Sequence, residues 1–262
     1  MVVVIILFRQ PISPYPITMI PRIYWPHPLQ VGQRQDLNET VQRYLLRTLR
    51  LSSGATITLF TGFEAGEWQT TLHTQPVPYL EPLAFIPVQR ESPLHITLVQ
   101  GIAKTDAMEW SIQKATEAGV HRIIPLLCRR STSNAGNPFT PNRQRRLERI
   151  AIEAAEQSGR LLVPEIFPPL SWNDLPQQLP PGPRWLFWEQ DQHQPRLRQC
   201  PHPGNHLTLL VGPEGGLDPQ EESMAREKLG FTTLSLGPRI LRTESAALTV
   251  ITACQLLWGD IG

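Results

Sequence analysis

Residues 207–222 read Leu-Thr-Leu-Leu-Val-Gly-Pro-Glu-Gly-Gly-Leu-Asp-Pro-Gln-Glu-Glu, and this stretch decides the fold. An apolar run of strand length, 207–211, meets a glycine-rich turn, and the turn runs into a helix start. Asp218 reads as the N-cap, Pro219 as the first helical residue and Glu221 as the capping-box acid. Strand, tight loop and helix make the repeating unit of a parallel α/β sheet, and such sheets bind ligands beyond the carboxyl ends of their strands. The loop Gly212-Pro213-Glu214-Gly215-Gly216 is not a phosphate loop: no Gly-Lys-Ser/Thr follows it, GxGxxG is absent, and Glu214 would repel a pyrophosphate. It reads either as a plain strand–helix turn or as a backbone grip on a ligand without phosphates, such as an adenosine.

The same rhythm extends outward from His95 to the end of the chain. The pattern predicts strands at 95–99, 123–128, 185–188 and 231–236. A helix capped by Thr105 or Asp106 carries Met108, Ile112 and Ala115 and stops at Gly119. Another begins at Pro141, carries Leu147, Ile150, Ala151, Ala154 and Ala155 on one face, and stops at Gly159. A last helix, opened by Thr243 or Glu244 and running to Trp258, is apolar nearly all round and is expected to be buried. Two more strand ends open on loops of interest: Glu189-Gln190-Asp191 after Trp188, and Gly237-Pro238-Arg239-Ile240-Leu241-Arg242-Thr243-Glu244 after Leu236. The second offers an apolar slot with cationic groups or, alternatively, a helix cap with solvated arginines.

The first hundred residues read differently, as a small β-rich module. Strands are expected at 22–25, 55–61 and 67–73, the last two joined as a hairpin around Gly62 and Gly66. Asp36 or Asn38 caps a short helix bearing Leu37, Val41, Tyr44 and Leu45. Residues 76–93 contain five prolines and are the best candidate linker, although apolar stretches within them could still pair as a strand. Residues 1–18 read as an upstream extension before a natural start at Met19, which leaves a barrel-sized unit at 19–92 and an α/β unit at 93–262.

Composition narrows the classes. The chain of 262 residues is 40% hydrophobic and carries a net charge of +1. That average conceals a basic segment, 101–160, with ten basic and six acidic groups. Of the 24 basic residues, 21 are arginine, a bias that suits phosphate recognition and equally suits a GC-rich genome. Three cysteines without CxxC spacing point away from a secreted disulfide framework and towards the cytoplasm. No histidine pair has metal-binding spacing, so no metal is expected, and no apolar run approaches the ~20 residues of a membrane span.

Three motifs then occur in order: Lys104-Thr-Asp-Ala-Met-Glu-Trp-Ser-Ile-Gln-Lys114-Ala-Thr-Glu-Ala-Gly119; Arg149-Ile-Ala-Ile-Glu153-Ala-Ala-Glu-Gln157-Ser-Gly159-Arg160; and Val211-Gly-Pro-Glu-Gly-Gly216 with Ser235-Leu-Gly237 and Ile240-Leu-Arg-Thr-Glu-Ser245-Ala-Ala247. Together they resemble the ribosomal small-subunit RNA uridine N3-methyltransferases of the SPOUT, or trefoil-knot, superfamily. The stretches Arg22-Ile-Tyr24 and Leu49-Arg50-Leu51 resemble that family's N-terminal PUA-like β-barrel. Ala118 and Ser245 depart from the family's usual Leu and Thr.

The resemblance implies an α/β trefoil-knot domain with a mainly parallel sheet behind the barrel. It implies a homodimer, S-adenosyl-L-methionine as cofactor, and small-subunit (16S) ribosomal RNA or an assembled 30S subunit as partner. Carried over by motif, Gly212, Gly216, Leu236, Gly237, Ile240, Leu241, Arg242, Thr243, Glu244 and Ser245 would bind the methyl donor. Arg242 would stabilise a developing uracilate; Glu244 would hold Arg242, receive a proton or cap the helix. Arg129 and Arg130 in the basic segment, with Arg22 and Arg50 in the barrel, are the RNA-binding candidates; Arg122, Arg143, Arg145, Arg146 and Arg149 complete the basic surface. The competing reading is a non-catalytic RNA-binding dimer on a knotted scaffold.

Overall fold

The computed structural model describes residues 20–131, 139–188 and 194–262. The expected leader, 1–18, and the loop Glu189-Gln190-Asp191 lie outside the described residues.

A five-stranded sheet forms the N-terminal unit, from β1 (Arg22–Tyr24), β2 (Gln35–Asp36), β3 (Thr56–Phe60), β4 (Gly66–His73) and β5 (Tyr79–Pro87), in the order β1-β3-β4-β5-β2. In β4 every second residue, Trp68, Thr70 and Leu72, is buried, as expected of a strand with one face on a core. The sheet curls over Ile23, Leu45, Ile57, Leu59 and Leu80. Asn38 caps helix α1 (Glu39–Arg43), its Oδ1 accepting the Val41 N–H at 2.9 Å; the helix runs on as a π-helical turn, Tyr44–Thr48.

Half of the proline-rich segment is strand and not linker. Its residues 79–87 form β5, antiparallel to β4, with Thr70 opposite Pro82 and Gln69 opposite Ala84. Leu83 is therefore an extra residue, and this bulge is what accommodates a proline within the ladder.

The second unit is a six-stranded sheet in the order β11-β9-β10-β6-β7-β8, and each of its ladders is parallel. Its strands are β6 (His95–Gly101), β7 (Val120–Leu126), β8 (Glu165–Ile166), β9 (Arg184–Phe187), β10 (His206–Val211) and β11 (Thr232–Leu234). Helices α2 (Thr105–Glu117), α3 (Pro141–Ser158) and α5 (Thr243–Trp258) cover one face through Met108, Ile112, Leu147, Val250 and Ile251. Helix α4 (Pro219–Ser223) lies with the residues that cover the other face, where Ala225 and Leu229 meet Leu186 and Leu210. Burial on both faces explains why β10 reads as a continuous apolar run rather than an alternating one. Helix α5 departs from expectation: only one side packs on the sheet, and Leu256 and Leu257 are 61% and 45% exposed.

The two units are joined by buried ionic groups. Arg160 is 5% exposed; its Nη1 donates to the carbonyls of Thr116 and Val120, and its Nη2 reaches Glu91 Oε2 at 2.6 Å. Burial alone would push the Glu91 carboxyl up, but hydrogen bonding and charge from Arg160 and the Leu161 N–H hold it below the usual range. Arg22, expected to face RNA, is turned inward instead. Its Nε pairs with Glu67 at 2.7 Å, its Nη1 donates to the Ala155 carbonyl at 3.0 Å, and its Nη2 donates to the Arg160 carbonyl. Strand β1 sits against α3, and this guanidinium gives the Arg160 carbonyl a donor and the Ala155 carbonyl, which also accepts the Arg160 N–H at 3.1 Å, a further one.

At the amino ends of the central strands three imidazoles gather: His95 stacks on His121 at 4.2 Å and meets His206 at 5.1 Å. Burial, His95 and Arg160 lower the His121 pKa to about 4, against the weaker pull of Glu91, and its Nδ1 has no hydrogen-bond partner. Because the folded-state value lies below the unfolded one, the unfolded chain binds more protons between about pH 6.5 and 4, and stability falls as pH drops through that window. Urea unfolding at pH 7 and pH 4.5 should show that His121→Leu removes part of this loss, up to about 3 kcal/mol. An unchanged pH slope in the variant would refute the assignment.

Candidate active site

Four parallel strands end side by side at one edge of the second sheet, and the chain order reverses between β6 and β10. Ligands bind at such a switch point because the two flanking loops diverge and leave a crevice. Here the crevice is a cleft of about 930 Å³. Its walls include Val211, Gly212, Pro213, Glu214, Gly216 and Leu217 from the loop after β10, and Ile240 to Ala246 from the loop after β11 and the first turn of α5. Lys104, Asp106 and Trp110 of the α2 end face them, with Phe187 and Trp188 of the β9 end. Leu236 and Gly237 lie in an adjoining cavity of about 150 Å³ that shares Phe187, Trp188, Ile240 and Leu241. The residues singled out in the two loops thus line one connected region.

The glycine loop is shaped by close approach. A Cβ at residue 101 would lie 2.5 Å from the Pro213 nitrogen, so β6 can run beside this loop only with glycine there. Gly216 closes the turn at φ +68, its N–H donating to the Pro213 carbonyl at 2.8 Å. Glu214 has a use that its sequence context did not disclose: its Oε1 accepts the Lys104 N–H at 2.8 Å. The N-cap of α2 is accordingly Lys104, not Thr105 or Asp106, and its own side chain makes no cap bond. The carboxylate of another loop satisfies an orphan amide at the helix start and complements the helix dipole. Behind the loop the capping box forms as read, with Glu221 Oε2 accepting the Asp218 N–H at 2.9 Å; its Oε1 also takes N–H groups of Arg129 and Trp172.

The second loop begins at Ser235, whose Oγ accepts the Gly237 N–H at 3.1 Å, and ends at Arg242, the N-cap of α5. Thr243 is buried; its Oγ1 donates to the Gly212 carbonyl at 2.6 Å and accepts from Gln100 Nε2 at 2.9 Å. Arg242 and Glu244 both face the cleft, and among the described residues neither takes part in an ion pair or a side-chain hydrogen bond. Two of the expected roles of Glu244 therefore fall away: it does not hold Arg242, and it does not cap α5. Sequence reasoning missed Lys104, Asp106, Trp110 and Trp188 of the cleft wall, and Gln100 behind it. Gln100 carried a signal, being polar at the end of an apolar strand. Trp188 ended a strand already marked as a ligand junction.

The expected cationic surface is mostly spoken for. Arg122 pairs with Glu165 at 3.0 Å, Arg146 Nη2 with Glu109 at 2.7 Å and Arg149 with Glu153 at 3.5 Å; Arg143 Nη2 donates to the Ala103 carbonyl. These groups fix helices rather than await a polyanion. Arg129 and Arg130 are engaged too, but at the glycine loop: both are exposed, Arg129 Nη1 lying 3.5 Å from Asp218 and Arg130 Nη1 donating to the Gly215 carbonyl at 3.3 Å. Arg50 is exposed in the barrel in a left-handed conformation, φ 55. No helix among the described residues is long and apolar enough to cross a membrane.

Comparison with known proteins gives one consistent result. The family model of the RNA methyltransferase domain matches residues 90–255. The ribosomal RNA small subunit methyltransferase E of Buchnera aphidicola (Schizaphis graminum) is 31% identical over 258 residues, which cover 92% of this chain and 98% of that protein. The Bacillus subtilis protein of the same name is 36% identical over 183 residues, 65% of this chain and 71% of its own. Among solved structures, the Neisseria gonorrhoeae ribosomal RNA small subunit methyltransferase E, bound to S-adenosyl methionine, superposes with a TM-score of 0.83 at 36% identity, covering 93% of this chain and all of that one. A methyltransferase structure from Legionella pneumophila in complex with SAM gives 0.84 at 31% identity, covering 92% and 99%. With the family model matched over 90–255 and relatives above 30% identical matched over nearly their full length, the chain belongs to the ribosomal RNA small subunit methyltransferase E family of RNA methyltransferases.

Proposed function

We propose that this enzyme transfers the methyl group of S-adenosylmethionine to N3 of a uridine in small-subunit ribosomal RNA. The observation that carries the reading is the single cleft in which the glycine loop and the Arg242 loop face each other at the carboxyl ends of β10 and β11. Its chemistry fits the cofactor. Apolar walls from Val211, Leu217 and Leu241 suit an adenine ring, and Asp106, Glu214 and Glu244 set carboxylates around a cationic ligand that has no phosphate. Bound there, S-adenosylmethionine would supply an electrophilic methyl group. The knot implied by the resemblance, with the C-terminal portion passing through a loop of the same chain, belongs to this proposal.

The chain's own residues handle the base. Uracil N3 is protonated at neutral pH and has to lose that proton before its lone pair can react. Arg242, without a side-chain partner among the described residues and facing the cleft, donates hydrogen bonds to a uracil carbonyl oxygen and stabilises the anion that remains. Glu244 is left as a proton acceptor on the same turn. N3 lies on the pairing edge, so the base enters unpaired or flipped out. Arg129 and Arg130, beside the glycine loop, meet the phosphates that flank it, and Arg50 extends the contact along a PUA-like barrel. A ribosomal substrate, as naked RNA or as an assembled 30S subunit, places the work in the cytoplasm. The exposed Leu256 and Leu257 of α5, with Ile240 80% exposed at the cleft, form the surface on which a second copy packs.

Three measurements test this reading. Incubation with labelled S-adenosylmethionine and unmodified small-subunit RNA or subunits should label a single uridine at N3, and Arg242→Ala should slow turnover by about 100-fold or more. Methylation on carbon or ribose, or unaltered turnover in the variant, would contradict it; no cofactor binding at all would restore the reading as a non-catalytic RNA-binding protein. Neutralising Arg129 and Arg130 together should lower the salt slope of RNA binding by about 1.4, at ~0.7 per single-strand phosphate contact, and an unchanged slope would displace the RNA path. Light scattering should give the mass of a dimer for the wild type and a monomer for Leu256→Glu/Leu257→Glu; a monomeric wild type would remove the dimer from the proposal.

A further inference from the structure

Gln100 is fully buried at the end of β6 and forms no part of the cleft wall. Its Nε2 lies 2.9 Å from Thr243 Oγ1, 3.0 Å from the Gly101 carbonyl and 3.5 Å from the Gly212 carbonyl. The direction of each bond follows from chemistry. A carbonyl only accepts, so the Thr243 hydroxyl commits its proton to the Gly212 carbonyl at 2.6 Å. That oxygen then offers Gln100 only lone pairs, and Gln100 must present its NH₂ group. The opposite amide orientation would set its oxygen against two carbonyls. In the orientation adopted, Gln100 Oε1 is buried without a partner among the described residues. A chain that leaves this acceptor unsatisfied, at real cost, requires the donor side of the amide at this position.

We propose that Gln100 is a positioning residue for the methyl-donor site: through Thr243 and Gly212 it holds the two walls of the cleft at the separation the cofactor requires. The inference rests on the reading of the cleft given above. Thr243 opens α5 immediately after Arg242, and Gly212 opens the loop that carries Gly216 and Leu217. A shift at the clasp therefore moves both walls, and Arg242 with them.

Substituting glutamate isolates this role. An ionised carboxylate has the same shape but only accepts: it would face two carbonyls, and it could take a proton only from the Thr243 hydroxyl, which would then release the Gly212 carbonyl. Protonated, it regains one O–H donor. Burial raises the pKa of such a carboxyl, so Gln100→Glu should bind the cofactor well at low pH and poorly at high pH.

Calorimetric titration with S-adenosylmethionine at pH 6 and pH 9, with melting curves in parallel, tests the proposal on the whole chain. The ratio of the Kd of Gln100→Glu to that of the wild type should rise about ten-fold or more between the two pH values, as the loss of one to two buried hydrogen bonds implies. Gln100→Leu, with no donor at any pH, should bind about ten-fold more weakly than the wild type at both. Adding Thr243→Val to Gln100→Leu should weaken binding little further, because both changes break one clasp. A merely structural role would lower the melting temperature and leave the Kd ratio of Gln100→Glu flat with pH; that result, or wild-type affinity in Gln100→Leu, would overturn the proposal. Should Gln100→Leu fail to fold, the two pH arms of Gln100→Glu decide alone. Failure of the wild type itself to bind at either pH would overturn the reading of the cleft and this inference with it, an outcome visible before any variant is compared.

Discussion

A parallel sheet covered on both faces leaves only its edges for chemistry, and here one close backbone approach sets the working edge. Gly101, at the end of β6, runs so near Pro213 that no side chain fits between them. Just behind this contact the Gln100 amide, the Thr243 hydroxyl and the Gly212 carbonyl form a buried chain of hydrogen bonds. Segments more than thirty and more than a hundred residues apart are thereby held in register. Hydrogen bonds in a dry interior are stiff because the alternative is an unsatisfied polar group. The wall of the cleft built from Gly212 and Thr243 inherits that stiffness.

Charge is distributed with the same economy. Most arginines of the basic segment are engaged by carboxylates or carbonyls, and the same is true of Arg22 and Arg160 where the barrel meets α3. The Arg22 and Arg160 contacts fix the N-terminal sheet against α3 and so against the second sheet. Against that background Arg242 stands out because it has no partner among the described residues while facing the cleft. Glu244, two residues later, also faces the cleft and also has no side-chain partner among the described residues.

Glu214 shows what a residue's charge in sequence leaves unsaid. In the glycine loop that charge was read only as an argument against a phosphate ligand. Its partner, however, is the amide at the head of α2. A cap supplied from a hundred residues away has no local sequence signature, since the capping rules describe a side chain reaching its own helix. The proline-rich segment misled for a related reason: a bulge in β5, which depends on the partner strand, absorbs the proline that a strand reading penalises.

Local rules governed much of this protein and were legible in the chain. Strand, glycine turn and capped helix at 207–222 announced the parallel sheet, glycines at 119 and 159 ended their helices in left-handed conformations, and Asn38 capped its helix as its side chain allows. The candidate loops after β10 and β11 were also legible, because strand ends and glycine turns are short-range patterns. What the chain alone could not disclose were pairings between distant residues: Arg22 with the carbonyls of α3, Glu214 with Lys104, Gln100 with Thr243, and the solvent-facing side of α5. Apolar periodicity says that a face is buried, not what covers it, and a charge in sequence does not reveal whether a counter-charge waits across a domain boundary. Those choices belong to tertiary packing, where long-range contacts satisfy the polar groups that local structure leaves exposed.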